Sequence, residues 1–341
     1  MDPKSLLAGR EDELVARLAA LASAHGSRRG VLGIGDDAAV LPGKPLRVVS
    51  VDLLVEGQHF RLDLMRPEDV ARRALEANLS DIAAMGARPE GFLLGLAWPV
   101  SPASRRLGGR LVAALIRAGA ERGAPLLGGD TVRAAPGAAT LSITVFGTPW
   151  PGGPVLRAGG RPGDVIVVTG PLGAPATGLW LLEQGIRPRG ADGRRLAREA
   201  VSAFRTPRAR LDLARPMARW SRALIDLSDG LGLDLPRLAE ASRCGFWVDA
   251  GAVPVHAAAR HFATHPADAL GRAIAGGEDY ELVAAIPPED LPAAHRAVRR
   301  AGGRLVELGR LTRDRGQWLV GRGKGPVEWP RTGWDPFDAR R

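Results

Sequence analysis

Carboxylates recur in this sequence beside glycines or inside short apolar runs. The stretches are GIGDDAAV, SVDLLVEGQHF, NLSDIAAMG, LLGGDTV, LIDLSDGLGLD and GGEDYEL. An aspartate beside a glycine is most often a turn residue, because its side chain accepts hydrogen bonds from nearby backbone N–H groups. Asp52 departs from this explanation. It lies between Val51 and Leu53 in a strand-like run, where a buried unpaired charge is costly.

The residue types indicate which cation these acids would bind. Mg²⁺ takes oxygen ligands and commonly shares them with substrate phosphates. Zinc and copper favour His and Cys, of which the chain has 6 and 1. The acids therefore favour a site for Mg²⁺ and a polyphosphate. The candidate acids are Asp37, Asp52, Asp81, Asp130, Asp226 and Asp229.

The familiar phosphate-binding and catalytic motifs are absent from the sequence. There is no G-x-x-x-x-G-K-[ST] loop, and GIGDDA lacks the third glycine of a dinucleotide fingerprint. The strand lysine and H-R-D loop of protein kinases and the G-x-S-x-G elbow are also missing. If the protein uses ATP, it binds it on another fold.

Composition limits the class of protein. A chain of 341 residues predicts about two domains, and 45% apolar with 25% charged residues is typical of globular proteins. The sequence has no apolar run of membrane-helix length, and its N-terminus lacks the basic and apolar regions of a secretory signal. The single cysteine, Cys244, excludes an internal disulfide framework. We therefore expect a cytoplasmic protein without a membrane partner.

The net charge of +10 raises the question of nucleic-acid binding. The basic residues are mostly arginines dispersed among Ala, Gly and Pro, and there is only one Tyr. Basic and aromatic residues are therefore not interleaved as in nucleic-acid grooves. We expect no nucleic-acid partner, and a basic surface also suits an enzyme that collects polyphosphates.

Periodicity predicts mixed α/β structure with much antiparallel sheet. In the first part of the chain, the patterns predict helices over 11–24, 66–86 and 102–123 and strands over 45–57, 91–100, 125–132 and 139–150. On the second helix, Asn78 and Asp81 share one side. The Pro- and Gly-rich segment 149–163 predicts a domain boundary, giving domains 1–150 and 151–341.

In the second part, DVIVVTG predicts a buried strand and GAPATGLWLLEQG a helix start. RALIDLSDGL predicts a strand and a turn, with Asp226 and Ser228 on one face. AIAGGEDYELVAAIP predicts a loop and a strand, and the aromatic tail after 328 is predicted to be irregular. The segment RGADGRRLAREA predicts a solvated loop or insertion, and no role follows for 187–198.

Taken together and in this order, the motifs resemble those of the thiamine-monophosphate kinase family. The matching stretches run from LGIGDDAAV to the aromatic tail, so the resemblance spans residues 32 to about 337. It implies the fold of aminoimidazole ribonucleotide synthetase, with an N-terminal half-barrel sheet that forms a homodimer and a C-terminal α/β domain over the nucleotide. The implied reaction converts ATP and thiamine monophosphate to ADP and thiamine diphosphate.

The resemblance also implies roles for individual residues, with several Mg²⁺ ions as cofactors. The implied magnesium ligands are Asp37, Ser50, Asp52, Asp81, Asp130, Asp226 and Asp229. The implied ATP contacts are Gly129, Arg157 and Ser228, and the implied thiamine contacts are His59, Glu278 and Trp334. Val51 departs from the family pattern, which has a hydroxyl residue before the aspartate, so we expect one metal contact to be lost or replaced.

The implied chemistry agrees with these residue types. A phosphate monoester has a second pKa of about 6, so the acceptor oxygen needs no general base at neutral pH. Phosphoryl transfer depends mainly on positioning and on charge stabilisation. We therefore expect direct in-line transfer without a phosphoenzyme.

Two other interpretations remain. One is another ATP-using enzyme of the superfamily, making aminoimidazole ribonucleotide or selenophosphate, although the sequence has no N-terminal Cys or selenocysteine for the latter. The other is a non-catalytic basic binding protein, in which the acids would be dispensable turn residues.

Overall fold

Two β-sheets, one in each half of the chain, organise this protein. The structure is a computed structural model that describes residues 11–24, 35–321 and 325–336. The first sheet has strand order β1-β2-β5-β3-β4 and is antiparallel except for the β3–β4 pair. Its strands are β1 (Ala39–Leu41), β2 (Arg47–Val55), β3 (Ala87–Trp98), β4 (Leu126–Arg133) and β5 (Thr140–Pro149).

The two faces of the first sheet differ. Along β2, Val48 and Leu54 are buried on the inner face, whereas Val51 and Leu53 on the outer face are 53% and 56% exposed. Helices pack on the inner face, because the alternation of side chains along each strand places the apolar residues of the strand there. The helices of this half are α1 (Glu11–Ala24), α2 (Pro67–Ala84) and α3 (Pro102–Glu121).

The second sheet has seven strands in the order β12-β11-β8-β10-β6-β9-β7 and is antiparallel except for the β8–β11 pair. Three of its strands are buried on both faces and are therefore apolar almost throughout. The strands are β6 (Val165–Val168), β7 (Ala223–Asp226), β8 (Gly245–Asp249), β9 (Leu282–Ile286), β10 (Val306–Thr312), β11 (Gln317–Val320) and β12 (Val327–Glu328).

Helices cover both faces of this second sheet. One face packs its apolar side chains with α7 and α9, and the other packs with α6 and α10. The helices are α4 (Ala174–Glu183), α5 (Gly190–Arg205), α6 (Leu211–Trp220), α7 (Leu231–Ala241), α8 (Ala257–His261), α9 (Pro266–Ala275) and α10 (Leu291–Arg300).

Helix α2 joins the two halves. One side of it packs on β2, β3 and β5, and its residues Ala83 and Ala84 belong to the apolar cluster that includes α6 and β6. A Pro at its first position and Glu68 and Asp69 in its first turn favour its start. Its last turns therefore lie between the two sheets, and the motif NLSD lies on them.

The expected two-part α/β architecture and the long helices and strands of the first half are confirmed. The predicted solvated loop at RGADGRRLAREA is wrong, because this segment forms most of α5. Leu196, Ala197 and Ala200 bury one face of α5 against α4. The surrounding arginines and glycines hide this apolar stripe in the sequence. Within the described residues, no helix is long and apolar enough to cross a membrane.

Candidate active site

Three aspartates from distant parts of the chain meet where the two halves join. Asp37 precedes β1, Asp81 lies near the end of α2, and Asp226 is the last residue of β7. Each offers a carboxylate oxygen, and these oxygens lie within 4.8 Å of one another. Three of the acids that the sequence motifs indicate therefore lie in one cluster.

The cluster carries negative charge that the protein only partly compensates. Burial, and then the neighbouring Asp37, raise the pKa of Asp226 to about 8. Burial, and then the charges of Asp52 and Asp226, raise the pKa of Asp81 well above its usual range. Asp37 Oδ2 and Asp226 Oδ2 are buried, and neither atom has a described donor in full hydrogen-bond geometry. The Ser80 hydroxyl is close enough to Asp226 to lower its pKa in part. Orphaned buried carboxylate oxygens indicate that something outside the chain binds here.

Strand β2 supplies two more predicted residues from its inner face. Ser50 Oγ donates a hydrogen bond to Asp81 Oδ2. The backbone N–H of Asp52 donates to Asn78 Oδ1 at 3.2 Å, so α2 and β2 are tied together at the site. Burial, followed by the charge of Asp229, raises the pKa of Asp52 to about 6.

The alternation of side chains along β2 also shows on which face of the sheet Val51 lies. Its side chain lies on the outer face of the sheet, opposite to Ser50 and Asp52. A hydroxyl at this position would therefore not reach the carboxylates of the same chain. The position of Val51 argues against a metal contact from this side chain within one chain, and the expected loss or replacement of a contact stays a prediction.

Asp229 lies in the turn between β7 and α7, where a charged network holds it. Its carboxylate forms an ion pair with Arg237, which also pairs with Asp234 at 2.9 Å. Asp234 in turn accepts hydrogen bonds from the N–H groups of Asp229 and Gly230, both at 3.0 Å. Gly230 has φ +105°, a conformation that side chains other than glycine rarely adopt. The DLSDG turn is therefore rigid.

Arg157 provides a cation beside the cluster. Its Nη2 donates to Asp37 Oδ1 at 2.7 Å, and its backbone N–H donates to Asp36 Oδ2 at 3.1 Å. Burial alone would lower the pKa of Arg157, but the adjacent Asp37 and Asp36 carboxylates raise it overall. No described residue accepts a hydrogen bond from its buried Nε atom.

These donor groups fit a hard divalent cation. Five carboxylates interact here, those of Asp37, Asp52, Asp81, Asp226 and Asp229, and their ligand atoms are all oxygen. The two guanidinium groups beside them, Arg157 and Arg237, leave the cluster with excess negative charge. Mg²⁺ with substrate phosphates matches this chemistry, whereas no His or Cys belongs to the described cluster.

Asp130 and Gly129 do not join the cluster within one chain. Asp130 lies on the edge strand β4 and is exposed on the outer face of the first sheet. In the register of the sheet, Gly129 of β4 aligns with Asp52 of β2, with β3 and β5 between them. Three strand spacings of about 4.8 Å separate β4 from β2 by roughly 14 Å. Gly129 has φ +157°, and a Cβ there would lie 2.0 Å from the carbonyl oxygen of Leu94, so the strand pairing requires glycine.

Two of the three residues implied for the thiamine side bond through their backbone to the DLSDG turn. The Trp334 N–H donates to the carbonyl of Asp229 at 3.0 Å, and the Glu278 N–H donates to the carbonyl of Ser228 at 2.7 Å. Glu278 and Tyr280 adopt φ +69° and +48°, a costly conformation for residues other than glycine. His59 Nδ1 accepts the N–H of Val55 at 3.2 Å.

Sequence reasoning missed three charged residues around the site, namely Arg73, Asp234 and Arg237. Asp234 and Arg237 are spaced by three residues on α7, directly after the DLSDG turn, which is a readable helical pair. Arg73 lies eight residues before Asp81 on α2, and nothing local in the sequence distinguishes it from the adjacent Arg72.

Comparison with known families agrees with this arrangement. Residues 35–148 match the model of the AIR synthase related protein N-terminal domain, and residues 161–320 match that of its C-terminal domain. Asp37, Asp52 and Asp81 lie in the first matched region, and Asp226 and Asp229 lie in the second.

Similar proteins and solved structures show which family with these two domains the chain belongs to. A thiamine-monophosphate kinase of Caulobacter vibrioides is 36% identical over 310 residues, covering 89% of this chain and 84% of its own. The crystal structure of the thiamine-monophosphate kinase from Stenotrophomonas maltophilia is 31% identical, with TM-score 0.72 over 92% of this chain and 97% of that one. A structure of AaThiL complexed with AMPPCP and TMP is 25% identical, with TM-score 0.79 over 97% of this chain and all of that one. The chain therefore belongs to the thiamine-monophosphate kinase family.

Proposed function

We propose that this protein transfers a phosphoryl group from ATP to thiamine monophosphate, giving ADP and thiamine diphosphate. The observation that carries the proposal is the cluster of Asp37, Asp81 and Asp226, whose oxygens lie within 4.8 Å and are only partly compensated. The family relationship adds the substrates, since a structurally similar relative binds AMPPCP and TMP. The two alternatives raised by the sequence lack this combined support.

We propose that Mg²⁺ binds at Asp37, Asp81 and Asp226, with Asp52 and Asp229 supplying oxygens for a further ion. When bound, Mg²⁺ supplies positive charge that offsets the repulsion between the two phosphate-bearing substrates. The chain itself holds the ligands in place. Ser50 fixes the Asp81 carboxylate by its hydrogen bond, and Arg237 with Asp234 fixes Asp229.

Two residues beside the acids, Arg157 and Ser228, could orient the phosphates of ATP. Arg157 keeps one buried N–H without an acceptor beside the acids, and a guanidinium donor suits a phosphate oxygen. Ser228 lies between Asp226 and Asp229 in the rigid turn. We propose that Arg157 and Ser228 contact ATP.

The site does not need a general base for this reaction. The acceptor is a phosphate monoester that is largely deprotonated at neutral pH, since its second pKa is about 6. Burial, followed by the charge of Arg73, lowers the pKa of His59, so its imidazole is neutral there. We propose direct in-line transfer without a phosphoenzyme. Isolation of a ³²P-labelled protein that forms and decays as fast as turnover would overturn this part of the proposal.

The outer face of the first sheet supports a homodimer. Its exposed apolar side chains are Val51 and Leu53 on β2, Leu93 on β3, and Leu127 and Val132 on β4. Ser142 and Thr144 of β5 lie between the β2 and β3 residues. Large exposed apolar patches usually mark interaction surfaces. The Gly129–Asp130 stretch lies on the same sheet, away from the acids of its own chain. We propose that two copies associate through this face and that Gly129 and Asp130 serve a site only across the dimer.

The remaining proposals concern organisation and location. We propose that 1–150 forms a nucleotide, metal and dimerisation domain and that 151–341 completes the nucleotide and substrate site. The sheets agree with this division, since the first ends at Pro149 and the second begins at Val165. We propose a cytoplasmic location, where ATP is available as the co-substrate.

Phosphorus NMR of the purified protein with ATP and thiamine monophosphate tests the reaction directly. We expect ADP and thiamine diphosphate to appear together with Mg²⁺ and not with EDTA. A parallel reaction with the aminoimidazole ribonucleotide precursor tests the main alternative within the superfamily. ATP consumption with that acceptor, and none with thiamine monophosphate, would show that the enzyme has the other superfamily substrate. No ATP use at all would favour the binding-protein interpretation.

A further inference from the structure

A single buried arginine connects the segments that carry the residues implied for the thiamine side. Arg73 lies on α2 and is only 4% exposed. Its Nε donates to the carbonyl of His59 at 3.1 Å, and its Nη1 donates to the carbonyl of Phe204 at 2.6 Å. Its Nη2 forms an ion pair with Glu278 Oε1. One guanidinium thus bonds to three segments that are distant in the chain.

The setting of Arg73 keeps the guanidinium fixed in orientation. Its Cζ atom lies 5.0 Å from the centre of the Phe204 ring, which adds a cation–π contact to the hydrogen bonds. A planar fork with three acceptors has little freedom to rotate. Burial lowers the pKa of Arg73 to about 10, so the group remains charged at neutral pH.

The partners of Arg73 each retain one polar atom for a ligand. Glu278 uses Oε1 for Arg73, and no described residue donates a hydrogen bond to its Oε2. His59 Nδ1 accepts the Val55 N–H, which places the imidazole proton of the neutral ring on Nε2. The pair therefore presents one acceptor and one donor in fixed orientations.

Helix α2 links this subsite to the acids. Arg73 and Asp81 are eight residues apart on the same helix, which corresponds to about 12 Å along its axis. The Glu278 N–H also bonds to the Ser228 carbonyl, beside Asp226 and Asp229. The position of Glu278 is therefore set from both ends, by Arg73 through its carboxylate and by the DLSDG turn through its backbone.

We propose that Arg73 is a positioning residue for the acceptor substrate, orienting Glu278 and the His59 loop without touching the substrate itself. This inference rests on the proposed function, in which Glu278 and His59 bind the thiamine part. It assigns a role to a residue that no sequence motif indicates. It also gives α5 a function, because the end of that helix supplies the Phe204 carbonyl and ring.

Steady-state kinetics of four single variants and one double variant test the proposal. Arg73→Met removes the fork and keeps an unbranched side chain, Arg73→Lys keeps the charge, and Glu278→Gln keeps the shape of the partner. Arg72→Met is the matched control, since Arg72 is the adjacent residue on α2 and pairs with Glu121 on the exposed side. Thermal unfolding of each variant accompanies the kinetics.

We expect Arg73→Met to raise the KM for thiamine monophosphate at least about 10-fold, as for a lost charge-assisted hydrogen bond. The KM for ATP should stay within about twofold, because Arg73 contacts none of the acids. Arg73→Lys should recover part of the loss, and Arg72→Met should match the parent protein. The double variant Arg73→Met, Glu278→Gln should lose less than the product of the two single losses, because Arg73 and Glu278 share one ion pair.

Several outcomes would contradict the role of Arg73. Equal losses for both substrates, or effects that multiply in the double variant, would indicate a merely structural residue. If Arg73→Met does not fold, an unchanged KM for thiamine monophosphate in Arg73→Lys and in Glu278→Gln would also overturn the proposal. A parent protein inactive on thiamine monophosphate would instead overturn the proposed function and, with it, this role toward that substrate.

Discussion

The carboxylates of Asp37 and Asp226 come from opposite halves of the chain and meet with oxygen atoms within 4.8 Å. Asp37 precedes the first sheet, and Asp226 ends a buried strand of the second. Each keeps one buried oxygen that no described residue satisfies. The proposed metal binding would therefore be linked to the packing of the two halves at one position.

Asp226→Asn should abolish most activity and weaken Mg²⁺ binding. The change keeps the size of the side chain but removes the charge and one anionic oxygen at the centre of the cluster. We expect kcat/KM to fall by roughly 100-fold or more, with a matching loss in a calorimetric Mg²⁺ titration. Asp192→Asn on the exposed face of α5 is the control and should behave like the parent protein. Full activity in Asp226→Asn would exclude this carboxylate as a ligand.

The metal-free protein should lose stability as pH rises. Asp226 has a pKa of about 8 in the folded state, raised by burial and by Asp37 from an ordinary value of 3.8. The folded state therefore holds its proton more tightly, and this stabilising contribution is lost as the pH rises through about 8. With EDTA, we expect Tm to fall by roughly 5 °C between about pH 5.5 and pH 8.5.

Two controls identify the source of that pH dependence. Excess Mg²⁺ should suppress the fall in Tm, because the cation stabilises the ionised carboxylates. Asp226→Asn should make the fall of Tm with pH in EDTA less steep, since the amide does not titrate. An equally steep curve in this variant would assign the effect to other groups.

The elements and residue types of the site were accessible from the sequence. Asp52 stood out because a carboxylate inside an apolar strand is costly, and NLSD stood out because its neighbours are apolar. The structure brings Asp37, Asp52, Asp81, Asp226 and Asp229 close enough to interact, as the proposed site for metal ions and phosphates requires. Local patterns could indicate these acids because a charged residue is unusual inside an apolar, buried segment.

Other features depend on long-range packing and could not be predicted. Asp130 carries the same glycine-rich signature as the other acids, yet its strand lies at the far edge of the sheet. The strand order decides this, and no local pattern encodes it. Arg73 looks like Arg72 in the sequence and differs only in facing the second half of the chain. The helix α5 was missed because arginines surround its narrow apolar stripe.

Ser50→Ala should impair the site, whereas Val51→Thr should leave it unchanged. Ser50 donates to Asp81 from the inner face of β2, and Val51 points to the outer face. We expect Ser50→Ala to weaken Mg²⁺ binding roughly 10-fold, the usual scale for losing a partner of a metal ligand. A calorimetric Mg²⁺ titration of both variants distinguishes the two faces. A gain in Mg²⁺ affinity in Val51→Thr would contradict the observed alternation.

Leu53→Asp should convert a dimer to monomers. Leu53 is 56% exposed, so a charge there costs little in a lone chain but much in a buried apolar interface. Light scattering after size exclusion should show half the mass of the parent protein, with activity lost. Ile116→Asp, on the exposed side of α3, is the control and should remain dimeric. A monomeric parent protein with full activity would overturn the proposed dimer.

The most direct test of the central claim is to locate a metal ion in the folded protein. Crystals grown with Mn²⁺ and AMPPCP can be measured at the manganese absorption edge, where anomalous scattering marks each ion. The account predicts a peak bound by oxygens of Asp37, Asp81 and Asp226, next to the nucleotide phosphates. Bound nucleotide without a metal peak at these three residues would contradict the account.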